Sequence, residues 1–184
     1  MRPELADIFK LQCAVGSLRD ESAYRELFVL FYTPAIRFAT GIVNSEEVAE
    51  ELYSDAMMKI WLMGPSLEKV SGYKVYLFTL IKNSAFNHLK KHKYNHLDFE
   101  THATDISTAV TPEHHLIEKE LRQSLEQAVS RLPPQCRNVY VLIKEEGFSY
   151  KQTAEILNIS TNTVEGHMTN ALRKITVMMK AYLY

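Results

Sequence analysis

Between Gly147 and Ile175 two apolar stripes of helical period stand only three residues apart, a pattern that few folded arrangements satisfy. Ser149-Tyr150-Lys151-Gln152 reads as a capping box, in which the serine hydroxyl and the glutamine amide serve first-turn amides reciprocally. Tyr150, Thr153, Ala154 and Leu157 fall on one face of the short helix that this box opens. Asn158-Ile159-Ser160 makes a tight connection, with Ile159 expected between the helices and Ser160 capping the second. Val164, Met168, Ala171, Leu172 and Ile175 form the inward stripe of that second helix. The pattern is a helix-turn-helix, whose second helix fits a DNA major groove with its N-terminal residues at the base edges. The outward candidates are Thr161, Asn162, Glu165, Gly166, His167, Thr169 and Asn170, with Arg173 and Lys174 placed for phosphates. Ser149 and Lys151, at the start of the first helix, belong to the same candidate surface. The competing reading is an ordinary helical hairpin inside a bundle.

The rest of the chain also carries helical periodicity, with no strand pattern or internal repeat. Leu5, Ile8, Phe9 and Gln12 predict a short first helix. Tyr24, Leu27, Phe28, Phe31, Ala35, Phe38, Ala39 and Ile42 recur at spacings of three and four, and Pro34 within that stretch should kink it. Asn44 or Ser45 is placed to cap the next helix, whose apolar positions run from Val48 to Trp61 and which Gly64-Pro65 ends. A loop from Met63 to Gly72 leads to a helix over Tyr73 to Lys93, with Phe78, Ile81, Ala85 and Leu89 inward. Residues 98–112 are rich in Thr and Ser and read as a flexible linker. Helical signal resumes at Glu113, through Leu116, Leu121, Leu125 and Val129; Pro133-Pro134 then opens a helix carrying Val139, Tyr140, Leu142 and Ile143 that Gly147 stops. The expected fold class is all-α, with two small helical domains: a bundle over 1–97 and a helix-turn-helix domain of winged-helix-like type over 113–184.

A net charge of -1 hides segregation. Acid clusters at Glu46, Glu47, Glu50, Glu51 and Asp55, whereas no Asp or Glu lies between Glu68 and Asp98, where Lys69, Lys74, Lys82, Lys90, Lys91 and Lys93 stand. Blocks of opposite sign suggest two surfaces with different partners, against the plainer reading of solvated helix faces. Cys13 and Cys136 are isolated and show no metal-ligand spacing, so reduced thiols and a cytoplasmic location are expected. The start, Met1-Arg2-Pro3-Glu4, lacks a signal peptide's apolar core, and no uninterrupted apolar run approaches about 18 residues, so the chain is not expected to be a membrane protein. No phosphate-cradling glycine loop, nucleophile elbow or paired catalytic carboxylates are present, so neither an enzyme nor a cofactor nor a small-molecule substrate is expected.

Leu132-Pro133-Pro134-Gln135-Cys136-Arg137, followed by Gly147-Phe148-Ser149-Tyr150-Lys151-Gln152-Thr153-Ala154 and by Ser160 to His167, resembles region 4 of the sigma-70 family, in its extracytoplasmic-function group. Tyr24-Arg25-Glu26-Leu27-Phe28 resembles the opening of region 2 in the same family. The stretch Ala49-Glu50-Glu51-Leu52-Tyr53-Ser54-Asp55-Ala56 through Lys59-Ile60-Trp61 resembles that region's acidic-apolar helix. The resemblance implies docking on the β′ clamp helices of RNA polymerase through Glu50, Glu51, Asp55 and Lys59, with Leu52 and Trp61 in the core. It implies that Tyr76 to Leu89 opens and reads the minus-ten element of a promoter. Asn83 and Asn87, four apart on one helix face, would capture unstacked bases beside the loop 63–72, with Lys82, Lys90, Lys91 and Lys93 on phosphates. The second domain would bind the β flap and the minus-thirty-five element, and an anti-sigma factor is the further partner implied. The recognition helix departs from the family in being poor in arginine: Glu165 suits a cytosine amino group, and Gly166 costs a helix about 1 kcal/mol relative to Ala.

Two other readings compete. His88, His92 and His96 form a stripe that Zn or Ni could use, but no carboxylate accompanies them and no metal site is expected. A helix-turn-helix regulator that never touches polymerase would share the second domain, but would have no need of the acidic helix before Trp61.

Overall fold

The computed structural model describes residues 5–93 and 116–183; the expected linker 98–112 and His96 lie outside them. All regular structure among the described residues is helical, so the helix-turn-helix stands there without the strands of a wing. Two compact units divide the chain.

The first unit holds α1 (Leu5–Leu18), α2 (Glu21–Val43), α3 (Glu46–Leu62), a 3-10 segment (Gly64–Lys69) and α4 (Tyr73–Lys93). Each start has a local cause. Asp20 accepts from the amides of Ser22 and Ala23 at 2.8 and 3.1 Å, and Ser45 caps α3 by accepting from the Val48 amide at 3.3 Å. Asn44 ends α2 instead of capping α3: its φ of 56° is left-handed and its amide donates to the Thr40 carbonyl at 2.9 Å. The helix runs unbroken through Pro34. By length and composition α2 could cross a membrane, but Ala23, Leu27, Phe31, Ala35, Ile36, Phe38 and Ala39 are buried as the bundle's central stripe. It packs on α1, α3 and α4, and α3 packs on α4. Phe38 and Phe78 meet with ring centroids 5.4 Å apart in the centre, and the Tyr53 hydroxyl donates to the Phe28 carbonyl at 2.7 Å.

The second unit holds α5 (Leu116–Ser130), α6 (Pro134–Tyr140), a π-helical segment (Val141–Glu145), α7 (Tyr150–Leu157) and α8 (Thr161–Leu183). Pro133 and Pro134 open α6 as expected, because a first-turn proline gives up no intrahelical bond. Val141 to Glu145 does not continue α6 as a regular helix: the Glu146 amide reaches back five residues to the Val141 carbonyl at 2.9 Å. Gly147, with φ of 74°, then turns the chain toward α7. Ala128, Val129, Leu132 and Cys136 pack with Ala171 and Ile175 of α8 into one core, with Leu125, Tyr140, Met178 and Met179 against it.

Several inward expectations move outward. Leu121 is 51 % exposed, Leu172 43 % and Tyr150 39 %, whereas Ile156 is fully buried. Phe9 is exposed, Ile159 is only half-buried, and Trp61 lies at the edge of the core. The region from Met63 to Gly72 is mostly the 3-10 segment instead of an open loop, with Leu67 buried.

Candidate nucleic-acid and polymerase interfaces

The helix-turn-helix forms for the local reasons its residues supply. The Ser149 amide donates to Gln152 Oε1 at 2.9 Å and the Gln152 amide to Ser149 Oγ at 3.2 Å, which closes the capping box. Asn158 takes a left-handed φ of 56° at the turn, and the Ile159 amide donates to the Ala154 carbonyl at 3.1 Å. Ser160 accepts from the Thr163 amide at 3.1 Å to start α8. Val164, Met168, Ala171 and Ile175 point inward, and α8 packs on α5 and α6.

The opposite face of α8 presents Thr161, Asn162, Glu165, Gly166, Thr169, Asn170, Arg173 and Lys174, all exposed, and Ser149 and Lys151 are exposed at the start of α7. Arg173 Nη2 donates to Asn170 Oδ1 at 3.3 Å, so the two side chains present one joint surface. His167 is half-buried, with Nδ1 3.9 Å from the buried thiol of Cys136. Gly166 has no packing reason to be glycine: nothing lies within 4 Å of where a Cβ would stand. Gly166→Ala should therefore stabilise the second unit by up to about 1 kcal/mol, because alanine loses less backbone entropy in a helix interior. Thermal unfolding checks this; an unchanged or lowered midpoint would contradict it.

In the first unit Glu50, Glu51, Asp55 and Lys59 are all exposed on α3. The Tyr32 hydroxyl of α2 donates to Glu50 Oε1, and the phenol pKa is raised, first by that bond, then by burial and by the charges of Glu50 and Glu46. Tyr32 stacks on Phe28 at 6.0 Å, and Tyr24 packs edge-on against Trp61 at 5.1 Å. Arg19 lies with its guanidinium 4.2 Å above the Trp61 ring. A row of aromatic rings from α2 and α3 thus runs beside the acidic face, with Arg19 over one end, and helical period within one element does not reveal it.

Asn83, Asn87, Lys90 and Lys91 are exposed on α4. Lys82 is not an open phosphate contact: it is 9 % exposed, and its Nζ donates to Asn83 Oδ1 at 3.0 Å. Burial lowers its pKa, and its stem lies along the core while the ammonium reaches the edge. The lysine thereby fixes one end of the Asn83 carboxamide. Among the described residues no group of His, Cys, Asp or Glu could hold a metal ion.

Two family models match this chain, "Sigma-70 region 2" over residues 27–94 and "Sigma-70, region 4" over residues 122–175. The chain belongs to the sigma-70 family of RNA polymerase sigma factors, in its extracytoplasmic-function group. Among its relatives, the ECF RNA polymerase sigma factor SigW of Bacillus subtilis is 23 % identical over 167 residues, covering 84 % of this chain and 89 % of the relative. The ECF RNA polymerase sigma factor EcfG of Rhodopseudomonas palustris is 23 % identical over 165 residues, covering 89 % and 85 %. Of solved structures, the sigma factor RpoE of Bartonella quintana, crystallised with the anti-sigma factor NepR, superposes with a TM-score of 0.65 at 23 % identity, covering 85 % of this chain and 96 % of that one. CnrH, solved with the cytosolic domain of CnrY, gives a TM-score of 0.62 at 17 % identity, covering 95 % and 98 %. In this sigma factor the region 2 match begins at Leu27, so α1 and the first turns of α2 precede it, and α8 runs on beyond the region 4 match.

Proposed function

We propose that this sigma factor divides promoter recognition between its two units. The first binds core polymerase through Glu50, Glu51, Asp55 and Lys59 on α3, where the acidic face can meet a charged coiled coil such as the β′ clamp helices. The same unit opens the minus-ten element. Asn83 and Asn87 take unstacked bases beside the 3-10 segment, Lys90 and Lys91 hold phosphates, and buried Lys82 orients Asn83. The second unit docks on the β flap and lays the start of α8 in the major groove of the minus-thirty-five element, with Thr161, Asn162, Glu165 and Gly166 nearest the bases.

The observation that carries this reading is the presence of both regions on one chain, an acid-faced helix in the first and a capped helix-turn-helix in the second. A regulator acting without polymerase accounts for only the second, so that alternative is not favoured. Two weak attachments on one chain raise avidity without either being tight alone. The protein acts by binding, in the cytoplasm, and an anti-sigma partner would restrain it, as NepR is found on RpoE.

Transcription in vitro tests the reading. Core polymerase with this protein should initiate from a two-part promoter selected from random DNA. Failure to associate with core, or selection of a single half-site only, would sink it.

A further inference from the structure

Gln12 and Gly16 share one face of α1, and with Arg19, just past its end, they meet the chain that leaves α3. Gln12 is only 2 % exposed. Its Nε2 donates to two backbone carbonyls of the segment after α3, Leu67 at 2.6 Å and Val70 at 2.9 Å. That spends both protons of the amide nitrogen on one short stretch. Gly16 lets the backbones approach: a Cβ there would stand 3.1 Å from the Gly64 carbonyl oxygen and 3.3 Å from Glu68 Cγ. Arg19 Nη1 donates to the Trp61 carbonyl, and its guanidinium covers the Trp61 ring. Start, middle and end of the stretch from Trp61 to Val70 are therefore held by α1 and the residue that follows it.

A 3-10 helix of six residues has poor internal hydrogen-bond geometry and does not hold its shape unaided. Here Gly64 is also in a left-handed conformation, with φ of 53°. The shape must come from outside, and α1 supplies it, although α1 precedes the residues that match region 2. We propose that Gln12 is a positioning residue for promoter opening: its carboxamide pre-forms the 3-10 segment beside which Asn83 and Asn87 take unstacked bases of the minus-ten element. This rests on the assignment of strand capture to the first unit. Pre-forming the segment lowers the ordering cost of capture, so loss of the clamp should weaken downstream recognition selectively.

Two variants separate positioning from plain stability. Gln12→Met keeps the length and removes both donors. Gly16→Ala keeps Gln12, favours the helix, and presses the segment outward by a few tenths of an ångström. Each would be assembled with core polymerase and used in selection from random promoter DNA, with opening followed by 2-aminopurine placed in the downstream element. Both variants should retain the upstream preference and core affinity of the parent, while downstream preference and opening fall by roughly tenfold. Circular dichroism at the assay temperature confirms folding, and if Gln12→Met unfolds, Gly16→Ala alone decides. Folded variants with the parent's downstream preference and opening would overturn the proposal. A parent that itself fails to open a promoter would instead overturn the assignment of strand capture, and this inference with it.

Discussion

Replacing Glu51 and Asp55 together by lysine should leave the protein folded and yet weaken its hold on core polymerase by about a hundredfold. Both side chains are exposed and stand four residues apart on α3, while the inward positions Leu52, Ala56 and Ile60 that keep the helix in the bundle are untouched. Reversing two charges places like against like at the interface, and the loss should shrink as added salt screens it. Titrating fluorescent protein with core polymerase measures the effect, and the thermal midpoint serves as the control. An unaltered affinity in a folded variant would remove this face from the polymerase contact.

Phe78→Ala should act in the opposite way, through the fold. Its side chain is fully buried against Phe38, with the Lys74 ammonium 5.8 Å from the ring centroid. Truncating a buried Phe costs about 3–5 kcal/mol, a large share of what a small domain has. The single tryptophan of the chain, Trp61, belongs to the first unit, so its fluorescence follows the unfolding of that unit alone. The expected result is a much lowered tryptophan-detected midpoint and lost initiation, with upstream duplex binding by the second unit retained. Loss of duplex binding in step with the tryptophan signal would mean that the two units do not fold independently.

What the sequence disclosed was mostly what neighbours along the chain decide. The capping box at Ser149 and Gln152, the cap at Ser160 and the proline start of α6 each need only residues within a turn, and each forms as read. Helical period gives the angle of a side chain but not how far a neighbouring element extends over it. For that reason Leu172 and Tyr150 lie open although they fall on the predicted stripes, and Trp61 sits at an edge. Lys82 misled differently: its charge suggests water, but a four-carbon stem lets a lysine pack along the core and still place its ammonium at the rim. Gln12 falls on the periodic positions of the first helix, but its partners were not legible, since they are 55 and 58 residues away. Gly166 was legible as an outward position from the helical period, and open space surrounds it.

The π-helical turn between α6 and α7 bears on lineage as well as on shape. A turn closed over five residues accommodates one more residue than an α-helical turn and rotates the downstream chain by about 100° relative to an uninterrupted α-helix. Val141 and Leu142, at the start of this turn, are buried, and Ile143 after them is half-buried. The extra residue also makes this turn a place where chain length can change cheaply. A relative one residue shorter between Pro134 and Gly147 could close the same stretch as plain α-helix and carry the second helix of its helix-turn-helix in the same pose. Insertions and deletions here would then be poor guides to divergence in promoter choice, whereas a length change between Ser149 and Thr163 would be a reliable one.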